Sequence, residues 1–375
     1  MSRRQTLQAA LGAAAAGILA ACRPERGAAA PAPSGSPSGG GWRMPEEAQP
    51  HELTYMAWPT RRIWGADLPY VHEDIASVAR AVADFEPVVM LAGERDVKAA
   101  QRACGSGVEV VPVPVDDLWV RDTGPTFVLG PQGIAGIDLN FNGWGGKQTH
   151  RNDSEVARKV LGLEKIERIG APVVGEGGSI EIDGAGTLLA TESSWVNDNR
   201  NPGRSRDDIE QDLRALLGVT KVIWVDGVKG HDITDYHIDA LARFVEPGLV
   251  VLSTPPADAP RDVWWRAYEQ ARGVLEQATD ARGKRLEIVR LPEAAAVGDV
   301  GADFLGSYVN YYVCNGAVIF PGLGDRRTDR DGRALVRELY PDREVVQVPI
   351  RHVAAGGGGV HCATQQLPKL PRGGA

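Results

Sequence analysis

Over residues 42–375, short apolar runs rich in β-branched residues alternate with stretches of helical period. Residues 88–91, 108–115, 187–190, 249–252 and 317–320 read as strands, being brief, apolar and bounded by turn residues. Between two of these, Ile209, Leu213, Leu216 and Leu217 fall on one helical face, with Asp207 placed to cap its start and Gly218 to end it. Comparable helices are predicted over 74–84 and 262–278. This alternation specifies an α/β fold. Closely spaced strand and turn signals over 119–129 and 134–139 predict hairpins, so the sheets are not purely parallel. No repeat of fixed period is visible.

The first forty-one residues follow another pattern. Arg3 and Arg4 precede an alanine-rich apolar run from Leu7 to Ala21, too short to span a membrane convincingly. This predicts an export signal over 1–21 of the twin-arginine type, which carries folded proteins. Leu19-Ala20-Ala21-Cys22 resembles a bacterial lipoprotein processing site, where Cys22 becomes the lipidated first residue; a plain signal cut near Ala21 is the alternative. Residues 22–41, dense in Ala, Pro, Ser and Gly, predict a disordered tether. The expectation is one exported domain over 42–375, anchored to a membrane of the cell envelope by its N-terminal lipid.

Charge narrows the partners. The chain of 375 residues has a formal net charge of −8, and the signal region holds two of its arginines and no acid. An acidic body without a basic run argues against nucleic acid and is compatible with a small cationic substrate. With lipid on Cys22, the remaining cysteines Cys104, Cys314 and Cys362 are odd in number, so at least one thiol stays free. No CxxC or HExxH occurs and the seven histidines are scattered, so no metal site is predicted.

The candidate chemistry gathers in a few segments. Gly356-Gly357-Gly358-Gly359-Val360-His361-Cys362 delivers one cysteine through four glycines, a run that in ordered structure implies positive φ or close approach of other groups to the backbone. A free thiol is as often a small core hydrophobe. The balance moves with Thr234-Asp235-Tyr236-His237-Ile238-Asp239, where alternation on a strand would point Asp235, His237 and Asp239 to one face. Two further acidic patches lie beside glycine or tryptophan, at 116–125 and 175–179. Each alone reads more readily as turn and cap residues. Together, thiol, imidazole and carboxylates are the parts of an activated-nucleophile site, and carboxylates match a guanidinium in bidentate pairs.

Seven segments in order, Met56–Pro59, Asp117–Pro125, Asn142–Lys147, Glu176–Ile180, Thr234–Asp239, Ser307–Asn310 and Gly356–Gln366, resemble the agmatine deiminases and the related bacterial peptidylarginine deiminases. The resemblance implies the guanidine-modifying, or pentein, fold: a five-bladed α/β propeller of ββαβ modules around a central acidic pocket, working without a cofactor. It implies Cys362 as nucleophile, His237 as general acid and base, and Asp122 and Asp239 as the carboxylates that hold the guanidinium. Trp119 and Glu176 match pocket residues, and Gly358 and Gly359 are expected to bind substrate with them. The chain departs from the pattern at Tyr236, where agmatine deiminases usually carry Gly. That ring either lines the pocket and contacts substrate or packs into the core.

The implied reaction converts a guanidino group to a ureido group with release of ammonia through a covalent S-alkylthiouronium, with agmatine going to N-carbamoylputrescine. A second reading keeps the chemistry and takes arginine in peptides as substrate. A third is a non-catalytic lipoprotein that binds guanidines or polyamines, which leaves the thiol without a use. A cysteine protease fits worse, because a ring of acids suits no oxyanion.

Overall fold

Four times along the chain, a pair of neighbouring strands is followed by a helix and a further parallel strand that together build one small sheet, and a fifth sheet joins three parallel strands from the start of the described residues to the last strand. The structure is a computed structural model that describes residues 41–371; the predicted signal, Cys22 and the tether short of Gly41 lie outside the described residues. The first sheet contains β1 (His51–Ala57), β2 (Val88–Ala92) and β3 (Val108–Pro112), all parallel. The second contains β4 (Thr126–Gly130), β5 (Gly133–Asp138) and β6 (Glu167–Gly170), and the third β7 (Glu181–Ile182), β8 (Thr187–Thr191) and β9 (Lys221–Val225). The fourth contains β10 (Ala242–Glu246), β11 (Leu249–Thr254) and β12 (Glu287–Pro292), and the fifth β13 (Tyr312–Cys314), β14 (Ala317–Gly322) and β15 (Glu344–Pro349). In sheets two to five the first pair is antiparallel and the second parallel.

The ring closes with the chain's last strand. Strand β16 (Gln365–Pro368) pairs antiparallel with β1, Leu53 facing Leu367 and Tyr55 facing Gln365. It supplies the first sheet with the antiparallel partner that each other sheet draws from its own hairpin. The result is a five-bladed α/β propeller.

Each parallel step needs a crossover, and helices supply it. They are α1 (Leu68–Ala83) and α2 (Val97–Cys104) in the first blade, then α3 (Val156–Glu164), α4 (Arg206–Leu217), α5 (Val263–Gln277) and α6 (Arg326–Leu339), one to a blade. Their apolar stripes bury against the sheets. Ile209, Leu213 and Leu217 of α4 join Val128, Ile137, Leu188 and Ala190 in one cluster, and each such side chain contributes about 1.5–3 kcal/mol on burial. Ser205, rather than Asp207, caps α4: its Oγ accepts the Asp208 N–H at 3.2 Å and the Asp208 carboxylate returns to the Ser205 N–H. Ser205 is extended while Asp207 is already inside the first turn. Gly218 ends the helix in the left-handed conformation, as the pattern predicted. The strand expected over 108–115 stops at Pro112, and residues 120–123 form a helical turn, so the hairpin in that region is β4 with β5.

This topology leaves five connections that pass from one blade to the next. Asp122 lies between β3 and β4, Glu176 between β6 and β7, His237 and Asp239 between β9 and β10, Asn310 between β12 and β13, and Cys362 between β15 and β16. Residues scattered over 240 positions therefore occupy one equivalent place in each module.

Candidate active site

Cys362 stands at the mouth of the glycine run with part of its surface open and dense polar structure around it. Asn310 Nδ2 donates to Sγ at 3.2 Å, Asn310 Oδ1 accepts the Cys362 N–H at 3.2 Å, and Sγ lies 3.4 Å from Asp239 Oδ2. The glycines act mainly through close approach. A Cβ on Gly358 would meet the Trp119 ring at 2.2 Å and one on Gly359 would meet Asn310 Oδ1 at 2.5 Å, so any side chain there displaces a wall of the site. Only Gly357 of the four has positive φ. Trp119 is itself buried, tilted against Trp64 with ring centroids 6.1 Å apart.

His237 opens a short 3₁₀ turn (Ile238–Ala240) that also carries Asp239. Its Nε2 is 3.3 Å from Glu176 Oε2 and its Nδ1 3.7 Å from Asp122 Oδ1, so both ring nitrogens face carboxylates. Burial alone would lower the imidazole pKa, but the charges of Asp122 and Glu176, with Asp239 behind them, outweigh it and push the group up to about 9. Asp122 accepts from Trp144 Nε1 at 2.9 Å and from the Gly178 N–H at 2.9 Å. A Cβ on Gly178 would lie 2.7 Å from both Asp122 Oδ1 and His237 Nδ1 and 3.2 Å from Asp239 Oδ2, which places these three groups around one point.

The carboxylates differ in how they are compensated. Burial opposes ionisation of Glu176, but Arg200, bonded through Nε at 2.7 Å and fully buried, holds its pKa below the ordinary range. Burial likewise opposes Asp239, which the hydrogen bond from His361 Nδ1 at 2.8 Å keeps low. Asp122 has no cation beside it except His237, and despite that charge and the bond from Trp144, burial with the Asp239 and Glu176 charges raises it. The thiol goes the same way: burial and the negative charge of Asp239 and Asp122 push Cys362 well above an ordinary cysteine.

Two expectations change. Residues 231–235 form bends, and 236–237 join them to the following turn without a strand, because Asp235 and Tyr236 take left-handed backbone at φ 59° and 68°. Asp235 therefore does not share a face with His237 and Asp239. It lies behind them, bonded to Arg200 Nη1 at 2.7 Å, Asn199 Nδ2 at 3.0 Å and Lys147 Nζ at 2.7 Å, partners that set its pKa at about 2 against the effect of burial. Tyr236 packs beside Trp264, ring centroids 5.2 Å apart, and against the core cluster of Leu189, Ile238 and Leu252. A tyrosine with that backbone costs roughly 1–2 kcal/mol, offset here by burial of the ring. The patch at Asp116 and Asp117 is a local cap: Asp116 accepts from the Asn152 and Asp153 N–H groups, and Asp117 holds Trp64 Nε1 at 2.7 Å.

Asn310 and His361 sit inside segments recognisable in the sequence, yet their parts in the site follow only from distances. Arg200, Arg243 and Glu47 carried no local signal.

The family model for Porphyromonas-type peptidyl-arginine deiminase matches residues 43–368. An agmatine deiminase of Pseudomonas aeruginosa (strain LESB58) is 38% identical over 364 residues, covering 90% of this chain and 98% of that protein. An agmatine deiminase of the plant Medicago truncatula is 36% identical, with 89% and 98% covered. The solved structure of the agmatine deiminase of Enterococcus faecalis superposes with a TM-score of 0.82 at 32% identity, covering 88% of this chain and 96% of that one.

The charge on His237 is measurable. In protein labelled at its imidazole carbons, His237 should titrate near pH 9 in the absence of substrate, and Asp122→Asn should lower that midpoint by about one unit or more. Because the folded pKa lies above the ordinary value of 6.5, the contribution of His237 to stability is complete below about pH 6.5 and is lost as the pH rises through about 9. A midpoint near 6.5 in the parent protein would contradict the arrangement.

Proposed function

The chain belongs to the Porphyromonas-type peptidyl-arginine deiminase family, of pentein fold, and from that premise we propose that it hydrolyses agmatine to N-carbamoylputrescine and ammonia. It is a hydrolase of guanidino C–N bonds. The observation that carries the reading is the convergence of a thiol, an imidazole held as a cation and three buried carboxylates on one point. A planar cation is the ligand that such an acid-lined site lacks. The substrate is assigned from relatives bearing the agmatine deiminase name that span nearly the whole domain.

In the proposed course the guanidinium lies between Asp122 and Asp239 with its central carbon over Cys362 Sγ. Its charge enters a pocket of negative potential and lowers the thiol pKa, which is high without it. The thiol proton passes to water, where the departing ammonia later takes it up as ammonium, and the thiolate adds to the guanidinium carbon, forming the C–S bond. His237 gives its proton to one amino group, the C–N bond breaks and ammonia departs, leaving an S-alkylthiouronium. A water molecule then attacks the same carbon and loses one proton to His237, restoring the imidazolium; the C–S bond breaks with the adduct's hydroxyl proton passing to the departing sulfur, which releases the ureido product and the thiol. The guanidinium carries its own positive charge, so the scheme asks for no Lewis acid.

We further propose that the enzyme works outside the cytoplasm on a lipid at Cys22, a reading supported by Arg3-Arg4 and the Leu-Ala-Ala-Cys box.

Cys362→Ser should abolish ureido formation with melting temperature unchanged, and Asp122→Asn or Asp239→Asn should cost about 2–4 kcal/mol in kcat/KM, since each leaves a buried cation half paired. A Cys362→Ser enzyme within about tenfold of the parent would remove the covalent mechanism. Among agmatine, free arginine and a blocked arginine peptide, agmatine should give the highest kcat/KM; preference for the peptide would transfer the assignment to peptidyl-arginine, and tight binding without turnover to a guanidine-binding lipoprotein.

Fractionated cells should carry the protein in the membrane pellet, and Cys22→Ala should release it or leave it unprocessed. Parent protein found wholly in the cytosol would refute the anchor.

A further inference from the structure

Next to the thiol in sequence, His361 is almost fully buried between two carboxylates. Its Nδ1 donates to Asp239 Oδ2 at 2.8 Å and its Nε2 lies 3.0 Å from Glu47 Oε2. Glu47 belongs to the segment that leads into β1. Its Oε2 also takes Arg121 Nη2 at 2.9 Å, while its Oε1 takes Arg243 Nη2 at 3.0 Å and the Val313 N–H at 2.8 Å. These partners come from the connection before β4, from strand β10 and from strand β13. Arg243 is held in turn by Glu181 at 3.1 Å and donates to the Tyr311 carbonyl, and the Arg121 N–H donates to the Cys362 carbonyl at 3.2 Å.

We propose that Glu47 is a positioning residue for the proposed reaction, holding His361 doubly protonated so that His361 fixes Asp239 against Cys362 Sγ and the substrate. This rests on the reading of Cys362 and Asp239 given above. Both neighbours of the ring are acceptors, and an imidazole can donate to two acceptors at once only when both nitrogens carry protons. Neutral His361 would keep one proton and could serve Asp239 or Glu47 but not both. Glu47 stays ionised for this purpose: burial works against it, but Arg243, His361 and Arg121 hold its pKa well below the ordinary range. The charged and titratable groups facing the His361 and Glu47 pair are thus Asp239, Arg121, Arg243 and Glu181, with Cys362 and His237 beyond Asp239.

Asp239 Oδ2 is the atom on which this matters. It meets both His361 Nδ1 and Cys362 Sγ, so the donor on one side sets where the oxygen sits for the other. With Glu47 uncharged, His361 loses the negative charge that keeps its second proton on Nε2, and Asp239 loses a fixed cation. The carboxylate then moves or takes up a proton, and the substrate's guanidinium is held on one side only.

The test combines a spectroscopic signature with a double-mutant cycle on the full chain. Nitrogen-labelled histidine in the parent protein should show both His361 nitrogens protonated at pH 7, and Glu47→Gln should return one of them to the unprotonated form. A parent spectrum with neutral His361 overturns the proposal without any variant, and independently of whether Glu47→Gln folds. On the guanidine that the parent turns over best, Glu47→Gln should lower kcat/KM at least tenfold. His361→Gln should do the same, and the double variant should be no worse than His361→Gln alone, because Glu47 acts through His361. Additive losses would assign Glu47 a purely structural part and overturn the proposal. A parent inactive on every guanidine would instead refute the proposed function and leave the histidine signature to stand or fall by itself.

Discussion

The rest of this structure depends on one constraint: at least five carboxylates, Glu47, Asp122, Glu176, Glu181 and Asp239, are buried near the centre of the propeller. Removing a charge from water costs several kcal/mol even after relaxation, so each must be matched. The matching is specific. Arg200 takes Glu176, Arg243 is shared between Glu47 and Glu181, Arg121 takes Glu47, and His361 joins Glu47 to Asp239. His237, pushed up to about 9, is the cation that stands among Asp122, Glu176 and Asp239. Asp122 alone lacks an arginine or a second histidine, and burial together with the Asp239 and Glu176 charges raises its pKa. A guanidinium arriving beside it supplies the missing charge, so affinity and compensation are the same interaction.

The propeller is what lets so many separated residues share this balance. A ββαβ module sends its chain inward once, on the way to the next module, and five modules closed by β16 on β1 send it inward five times. Evolving a pocket in such a ring needs no long excursion from any blade. It also explains why Asn310, a neutral residue, occupies the connection next to the thiol: it donates to Sγ and accepts the Cys362 N–H without adding a further charge to a centre already short of cations.

Elements with strong local patterning were legible in the sequence, and those decided by distant partners were not. Ile209, Leu213 and Leu217 marked α4 by period alone, and Gly218 marked its end. Its start was misread by two residues because Ser205 and Asp207 are both good caps, and only the extended backbone at Ser205 decides between them. The resemblance brought Cys362, His237, Asp122 and Asp239 forward, and the structure sets all four within one cluster. Alternation failed at Asp235 for a physical reason: two successive left-handed residues turn the chain, so the side chain points back to Arg200 and Lys147. Arg200, Arg243 and Glu47 were invisible because a buried ion pair is a property of two positions, here 24 to 196 residues apart, and neither position alone departs from an ordinary surface charge.

The electrostatics of the site's own residues bear on where such an enzyme can work. A thiolate, not a thiol, is the species that oxidises and forms disulfides readily. The Asp239 and Asp122 charges, added to burial, keep Cys362 in its neutral form, and Asn310 donates to the sulfur without ionising it. A resting enzyme of this kind is chemically quiet. Ionisation waits for a ligand that brings positive charge to within contact of the sulfur, which restricts the reactive form to the complex with substrate. On the proposed reading of an exported protein, that coupling protects the single functional thiol in an oxidising compartment. Among the described residues the two other cysteines are kept neutral by burial: Cys104 is pushed up to about 11, and Cys314 is raised further by burial and the Glu86 charge.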